Sequence, residues 1–252
     1  MKKLLTLVTT LALVFTSCSN DDDSAATPVL LTQINYSNGT NSFTRDYNYN
    51  GTKLVSIVSS SGDLQEFTYT GDLITKIKYS ENNNSVQYTE SLFEYNANQE
   101  VISATNLYHS DNNPYGSKTT FVYNTDNTIS TAFYLGDLNS QTNLQNSGKY
   151  FLNTSGNIYK VEEYDLNGNI IEQFNYTFDS QNHPGKNITG YSKLPFHRDG
   201  KNNNILACSS LGGYSADNYT IQYQYNSNGY PASSVETNIN GNSVTTQYTY
   251  NQ

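Results

Sequence analysis

The sequence contains no tryptophan, and its single methionine is the initiator, Met1. Only 14 % of the residues are charged, and runs of Glu, Lys, Leu and Ala are missing. Those runs build amphipathic helices, so their absence argues against a helical fold. What the chain has instead is 23 tyrosines and many Asn, Ser, Thr and Gly residues. Tyr and Thr favour strands, whereas Asn and Gly favour tight turns. The composition therefore predicts an all-β fold.

Basic residues are also scarce. The chain has 13 Lys and Arg against 22 Asp and Glu, which gives a formal net charge of −9 at pH 7. Proteins that bind nucleic acid usually carry a basic patch that attracts the phosphate backbone. We therefore expect no nucleic-acid partner.

Long hydrophobic runs are missing except for one, Leu4 to Phe15, which follows Lys2 and Lys3. It is too short to span a bilayer, which needs about 20 apolar residues, and its order is typical of a secretory signal peptide. Because Ser17 and Cys18 follow, the segment resembles a bacterial lipoprotein signal. It departs from that family at Phe15, three places before the cysteine, where the family prefers Leu. The resemblance implies cleavage after Ser17 and lipidation of Cys18. The alternative is an ordinary secretory signal.

The residues after Cys18 bear on where the protein lies. The acidic run 19–23 resembles the surface-export tether of Bacteroidetes-type lipoproteins, which implies an outer-membrane protein facing the exterior; the alternative is a solvated spacer. Two or more acyl chains hold a protein at a membrane durably.

With Cys18 lipidated only Cys208 remains, so we expect no intrachain disulfide. The predicted organisation is a signal peptide at 1–17, a lipidated cysteine and flexible tether at 18–29, and a single domain at 30–252.

An internal repeat organises that domain. Each copy has the pattern aromatic-x-Tyr-Asn, then a short Gly/Asn turn, then an aliphatic pair. The two aromatics are two positions apart, so they point to one face of a strand, and the Asn-Gly pair suits a tight turn. Each copy therefore predicts a β-hairpin. Copies recur at residues 47–57, 67–77, 93–102, 121–129, 150–161, 164–171 and 223–235, and a half copy occupies 248–251.

The spacing of the turns predicts the topology. Turn signals every 8 to 14 residues indicate about 14 to 16 strands. Sequential hairpins pair locally, so an antiparallel meander is the simplest arrangement. We expect this meander to form either a large twisted sheet or a wound repeat. The strand count also fits a transmembrane β-barrel, but the predicted lipid anchor and the polar faces of most strands argue against that alternative.

The repeats resemble the YD-repeat (RHS-like) pattern, Tyr-x-Tyr-Asn/Asp-x-x-Gly-x-Leu/Pro-x-x-Ile/Val, over residues 30–252. Together with the signal and the acidic run, they resemble Bacteroidetes-type surface lipoproteins with YD-repeat-like hairpins. Asn replaces Asp in most copies and the spacing is irregular, which departs from the regular shell of large RHS toxins. The resemblance implies no particular activity.

One segment, residues 179–213, interrupts the repeats and holds His183 and His197. Long irregular loops on a rigid scaffold often carry function. The alternative, which we favour, is a plug or cap over one end or face of the sheet. That alternative predicts four side chains that pack inward: Leu194, Phe196, Ile205 and Leu211.

Motifs for catalysis and for metal binding are weak. His109, His183 and His197 lack the spacing of a zinc site. The run that begins at Asp165 is similar to the start of a calcium loop, but Tyr176 stands where an EF-hand needs glutamate. We therefore predict no metal, no cofactor and no enzymatic activity. A hydrolase with its site in the 179–213 loops is the less favoured alternative.

The tyrosines are the remaining candidates for function. Exposed aromatic rings can stack on sugars, whereas buried ones would simply form the core. We predict a non-catalytic, surface-anchored binding or scaffold module for a polysaccharide or for an envelope or host protein. The alternative is a structural envelope lipoprotein with no small ligand. The candidate binding residues are Tyr49, Tyr69, Tyr95, Tyr123, Tyr225, His183 and His197.

Overall fold

The computed structural model describes residues 27–83, 86–195, 200–212 and 218–252. The predicted signal peptide, the lipidation site Cys18 and the acidic run lie outside the described residues. The same is true of Phe196 and His197 in the irregular segment. The interpretations that rest on these residues stay predictions.

Sixteen β-strands run through the described residues, and two short 3-10 turns, Glu81–Asn83 and Tyr191–Lys193, accompany them. No helix in these ranges has the length and apolarity that crossing a membrane requires. The strands are β1 Leu31–Ser37, β2 Ser42–Asn50, β3 Lys53–Ser59, β4 Leu64–Thr70, β5 Leu73–Ser80, β6 Tyr88–Tyr95, β7 Val101–His109, β8 Tyr115–Tyr123, β9 Thr128–Gly136, β10 Gln141–Leu152, β11 Ile158–Tyr164, β12 Ile170–Phe178, β13 Ile205–Leu211, β14 Tyr219–Tyr225, β15 Pro231–Asn238 and β16 Ser243–Tyr250.

The strands form an antiparallel meander that closes into a barrel. Each strand pairs with its neighbours in sequence, and β1 pairs with β16, with Ile34 opposite Tyr248. The predicted meander is confirmed. The expectation of an open twisted sheet or a wound repeat is wrong, because the first and last strands satisfy each other's edges. Every strand has both of its partners within residues 27–252, so this part of the chain holds the whole barrel.

The closure completes a repeat. In the copy around Asn226, the backbone N–H of Asn226 donates to the Tyr230 carbonyl (2.9 Å) and its Oδ1 accepts from the Tyr230 N–H (3.0 Å). Asn251 makes the same two contacts with Leu30, at 3.0 and 2.9 Å. The half copy 248–251 therefore uses β1 as its return strand.

The aliphatic pair of the repeat is split by a β-bulge. Tyr49 lies opposite Leu54 and Asn48 opposite Ser56, so Val55 is the extra residue. A bulge leaves one residue without a cross-strand partner. Leu54 accordingly points inward and is 1 % exposed, whereas Val55 is 46 % exposed. The return strands opposite Tyr69, Tyr95 and Tyr225 contain the same one-residue bulge, and the return strand opposite Tyr123 does not.

The turns alternate between two ends of the barrel. The end that carries the turns β2–β3, β4–β5, β6–β7, β8–β9, β10–β11 and β14–β15 is here called the repeat end, and the opposite one the mouth end. The copy at 164–171 is out of phase, because its turn joins β11 to β12 at the mouth end. The hydroxyl of Tyr164 donates to Glu162, two residues earlier on the same strand. This copy therefore does not repeat the geometry of the others.

Alternation along the strands separates a polar outer wall from an aromatic interior. On β14, Tyr219, Ile221 and Tyr223 line the interior, whereas Thr220 and Gln222 are exposed. Two clusters of buried side chains stabilise the wall through apolar burial. The first contains Ile74, Phe93, Val101, Phe121, Ile129 and Leu194, and the second contains Ile158, Val161, Phe174, Tyr176, Ile205 and Cys208.

Candidate functional site: the plugged lumen

The plug is here defined as residues 179–195 and 200–204, the described residues between β12 and β13, and it crosses the repeat end. The Thr189 N–H donates to the Thr52 carbonyl in the β2–β3 turn (3.0 Å), and the two threonine hydroxyls lie 2.7 Å apart. On another part of the ring, the Asn182 N–H donates to the Gly229 carbonyl in the β14–β15 turn (2.9 Å). These turns belong to strands from different parts of the wall. The plug therefore closes this end of the barrel.

The fit between the plug and the β4–β5 turn is close. Gly190 has a φ of 77°, and a Cβ at this position would lie 2.6 Å from the Asp72 carbonyl oxygen. Only glycine accommodates both the left-handed backbone and this approach. The plug is thus held against the turn by backbone geometry as well as by side chains.

Two buried asparagines hold the plug, Asn204 from within it and Asn157 from the wall. Asn204, 1 % exposed, donates through Nδ2 to Asp179 Oδ2 (2.9 Å), and its backbone N–H donates to Oδ1 of the same carboxylate (3.0 Å). Asn157 in the β10–β11 turn is fully buried; its Nδ2 donates to Asn203 Oδ1 (2.9 Å) and its Oδ1 accepts from the Asn202 N–H (3.1 Å). Buried polar groups need such partners, so these bonds fix one position for the plug.

The favoured interpretation of the segment 179–213 as a plug is confirmed in part: its first part crosses the repeat end, but Ile205–Leu211 forms β13 of the wall and is not irregular. Leu194 and Ile205 are buried, as predicted. The prediction for Leu211 is wrong: it is 63 % exposed, because it lies at the mouth end of β13, opposite Gln173 on the outer wall.

The five candidate tyrosines all end β-strands at the repeat end and point inward. The Tyr49 hydroxyl donates to the Leu31 carbonyl and that of Tyr95 to the Ile74 carbonyl, both at 2.7 Å. The Tyr225 hydroxyl donates to the Asp179 carboxylate of the plug. Burial raises the pKa of Tyr69, Tyr95 and Tyr123 to about 12, so these phenols stay neutral. Tyr49 and Tyr95 therefore join neighbouring hairpins, and Tyr225 joins the wall to the plug. A role of the five tyrosines in binding stays a prediction.

The two histidines with assigned positions are far apart. His183 lies in the plug, where its Nδ1 accepts from the Gly185 N–H (3.0 Å) and its ring stacks on Tyr191 with centroids 6.0 Å apart. His109 lies on the outer wall, stacked on Tyr88 at 4.3 Å and 3.6 Å from a Glu90 oxygen. Within the described ranges, no group of three or more His, Cys, Asp or Glu side chains could hold a metal ion.

The plug forms the floor of a cavity of about 770 Å³ inside the barrel. His183, Ile188 and Tyr191 of the plug lie at its base. At the mouth end, the inward-facing Phe43 is 40 % exposed and Val244 is 36 % exposed, so solvent reaches the cavity there. The wall is contributed by β1 to β6 and β13 to β16. Its aromatic lining comprises Tyr36, Phe43, Tyr47, Phe67, Tyr79, Tyr219, Tyr223 and Tyr248.

This lining contains residues that the sequence did not single out. Tyr47 and Tyr223 are the first aromatics of their repeat copies, two positions before the candidate tyrosines. Residues i and i+2 share a face, so the repeat motif itself contained the signal that the first aromatic also points inward. Burial raises the pKa of Tyr248 to about 12 and raises that of Tyr223 further. Both therefore offer neutral rings and hydroxyls.

Charge is sparse in the cavity. The Arg45 guanidinium lies 5.4 Å from the ring centroid of Tyr36 and 5.6 Å from that of Phe43, and these two rings stack on each other at 4.7 Å. In the part of the chain that the structure describes, Arg45 forms no ion pair with a carboxylate. Glu236 also lines the cavity, and partial burial raises the pKa of its carboxyl. An aromatic chamber with one cation at its mouth is suited to binding.

Comparisons with known proteins identify neither a family nor a function. No protein family and no curated protein matches the chain. Among solved structures, a porin-like protein from Bacteroides uniformis ATCC 8492 is similar at 14 % identity and a TM-score of 0.46, over 87 % of this chain and 97 % of that one. The Photorhabdus luminescens Tc holotoxin pore is similar at 14 % identity and a TM-score of 0.30, over 82 % of this chain but only 10 % of that one. Both likenesses are too distant to carry an argument. The lipoprotein and YD-repeat resemblances stay predictions.

Proposed function

We propose that this protein is a non-catalytic binding module and that its binding site is the barrel lumen. The observation that carries the proposal is the cavity of about 770 Å³, which has an aromatic lining, a closed floor and a solvent-exposed rim. Cavities of roughly 300 to 1,000 Å³ with few polar groups are where proteins bury small ligands. The lumen has both the size and the lining of such a site.

Binding fits the lining better than catalysis does. A hydrolase would need carboxylates, or His183 or His197, to converge in a pocket. Within the described residues, Glu236 is the one carboxylate that lines the cavity. His183 already accepts a hydrogen bond from Gly185 within the plug. The described part of the lining therefore offers no pair of carboxylates, which favours binding over hydrolysis.

The same proposal places the barrel on the outer membrane by a lipid anchor, without crossing the bilayer. Membrane-spanning barrels present an apolar band outward and a polar interior. Here the outward residues include Asp46 on β2, Glu66 on β4 and Gln222 on β14, all exposed, while aromatics line the interior. A wall of this polarity is suited to water.

An anchor at Cys18 would orient the mouth away from the membrane. Thr27 lies at the repeat end, where its carbonyl accepts from Gln252 Nε2 (2.6 Å) and Asn187 Nδ2 of the plug donates to the Val29 carbonyl (3.0 Å). Eight residues lie between Cys18 and Thr27. The plugged end would therefore face the lipid, and the open end would face the cell exterior.

The shape of the lumen restricts the partners. A lumen closed at one end admits a small molecule or the end of a polysaccharide chain, and it does not let a polymer pass through. An envelope or host protein would have to bind at the mouth turns or the outer wall. A purely structural envelope protein, the alternative, would show no saturable ligand.

Binding of an apolar fluorescent probe, N-phenyl-1-naphthylamine, to residues 27–252 tests the lumen as the site. Ile221→Trp fills the cavity from β14, whereas the adjacent Gln222→Trp adds the same ring to the outer wall. We expect saturable binding that the first variant weakens at least about tenfold and the second leaves unchanged. Urea unfolding confirms that both variants are folded. Equal binding by both variants would contradict a site in the lumen.

The anchor and the partner class need separate experiments. An alkyne-tagged fatty acid fed to expressing cells should label the wild type and Cys208→Ser but not Cys18→Ser, and the last should leave the membrane fraction. Retention of unlabelled Cys18→Ser in the membrane would contradict the anchor. A panel of polysaccharides, added as competitors of the bound probe, tests whether chain ends enter the lumen.

A further inference from the structure

The chemistry of the lumen indicates what it binds, given the proposed function on which this inference rests. We propose that the ligand is an anionic amphiphile, whose single negative head group pairs with Arg45 and whose apolar body lies in the cavity below it. The head group is a carboxylate or a phosphate monoester, since either matches a guanidinium.

Among the described residues, Arg45 is a cation that forms no ion pair with a carboxylate. Its side chain faces the cavity near the mouth, and its cross-strand neighbours are Ile34 on β1 and Ser59 on β3, both uncharged. The rings of Tyr36 and Phe43 hold the guanidinium through cation–π contacts and leave its N–H donors available to a ligand. Desolvating a cation is costly unless an anion accompanies it. A bound anion would supply that partner.

The remaining lining is suited to an apolar body. The aliphatic and aromatic side chains around the middle of the cavity come from five strands, β14, β1, β3, β4 and β5, which lie within one half of the barrel wall. A sugar would need many hydrogen-bonding groups here; the lining offers the side chains of Gln65, Ser91 and Thr246, and the Tyr248 hydroxyl already pairs with Ser234 (3.1 Å). The side chains around the middle of the cavity are Ile34, Ile57, Phe67, Ile77, Ile221 and Tyr223.

The position of Glu236 is consistent with an anion at Arg45. It lines the cavity from β15, and the order β15, β16, β1, β2 separates it from Arg45 by two intervening strands. Neighbouring strands lie about 4.8 Å apart, so the strands that carry the two groups are about 14 Å apart along the wall. The head group would therefore meet the cation at a distance from Glu236, although the carboxylates of Asp63 and Glu81 act on Tyr79 at the same rim.

Calorimetric titration of residues 27–252 with sodium decanoate, decyl phosphate and 1-decanol tests the inference. We expect both anions to bind one to one, and 1-decanol to bind about 10- to 100-fold more weakly, because a charge-assisted pair is lost. Arg45→Gln should weaken binding of the anions by a similar factor and leave 1-decanol unchanged. Lys118→Gln, which removes a cation from the outer wall of β8, is the matched control and should change nothing. The tighter of the two anions identifies the head group.

Other outcomes separate the two proposals. Equal binding of decanoate and 1-decanol, insensitive to Arg45→Gln but abolished by Ile221→Trp, would refute the head-group assignment and leave the lumen site intact. Binding of trigalacturonate in preference to every decyl compound would replace the amphiphile with an acidic sugar in the same lumen. Failure of all these probes, together with failure of N-phenyl-1-naphthylamine, would overturn both proposals.

Discussion

The split aliphatic pair provides a sharp test of the fold, because two adjacent residues of similar chemistry have opposite surroundings. Leu54 is 1 % exposed and Val55 is 46 % exposed. Truncating a fully buried leucine to alanine removes its burial and leaves a cavity, which costs about 2–5 kcal/mol. Truncating the exposed valine at the bulge should cost less than about 1 kcal/mol.

Urea unfolding and thermal unfolding of residues 27–252, both followed by circular dichroism, measure the two losses in free energy and in Tm. In a domain of this size, 1 kcal/mol shifts Tm by about 2–4 °C, so Leu54→Ala should melt roughly 6–12 °C below the wild type for a loss of about 3 kcal/mol. Val55→Ala should melt within about 4 °C of it. The pair Val101 and Ile102 offers a repetition, since Val101 is fully buried and Ile102 is 40 % exposed. Equal losses at Leu54 and Val55 would refute the bulge and the inward register it creates.

Three further predictions concern closure and the plug. Asn251→Ala removes the side-chain bonds to the Leu30 N–H and the Pro28 carbonyl, so it should lower the free energy of unfolding by about 0.5–2 kcal/mol. The control is Asn240→Ala, in an exposed turn at the mouth end. Equal losses of stability in the two variants would argue against the closing repeat. Gly190→Ala should lower the free energy of unfolding by more than Gly168→Ala does. Both glycines have positive φ, but only a Cβ at position 190 would meet a backbone oxygen, at 2.6 Å. Equal losses of stability in urea unfolding would contradict the contact between the plug and the β4–β5 turn. Burial lowers the pKa of Lys201 to about 8 in the folded state, whereas the pKa of an unfolded lysine is about 10.4. Below pH 8 the folded protein therefore has to bury a charged lysine. The free energy of unfolding should rise as the pH increases from about 8 to about 10.4, where the folded state releases this proton before the unfolded state does. Lys201→Met should therefore be more stable than the wild type at pH 7 with a gap that narrows by pH 10, whereas a gap independent of pH would contradict the burial.

Local features of the fold could be predicted from the sequence because they depend on near neighbours. The i, i+2 aromatics and the Asn-Gly turns were sufficient for the hairpins and the meander. The bulge could not be predicted from the sequence. Leu54 and Val55 are both aliphatic, so the pair gives no signal that one side chain points inward and the other outward. The copy at Tyr164 matched the motif but turned at the opposite end of the barrel.

Closure and the lumen depend on contacts between distant parts of the chain. Thr32 and Thr249, whose bond joins β1 to β16, are 217 positions apart, and nothing local marks that pairing. The half copy 248–251 was a usable signal, because a half hairpin needs a return strand and Leu30-Leu31 has the required aliphatic pair. Arg45 was missed for the same reason: a single arginine in a polar strand is typical of a surface residue until closure places its face inside.

The most direct test of the account is thiol labelling of Ile221→Cys and Gln222→Cys in residues 27–252, with and without N-phenyl-1-naphthylamine. The two positions are adjacent on β14, and only the first faces the lumen. At a probe concentration ten times its Kd, we expect labelling of Ile221→Cys to slow about tenfold by mass action and labelling of Gln222→Cys to stay unchanged. Equal protection at both positions, or protection at Gln222→Cys alone, would contradict a binding site inside the barrel.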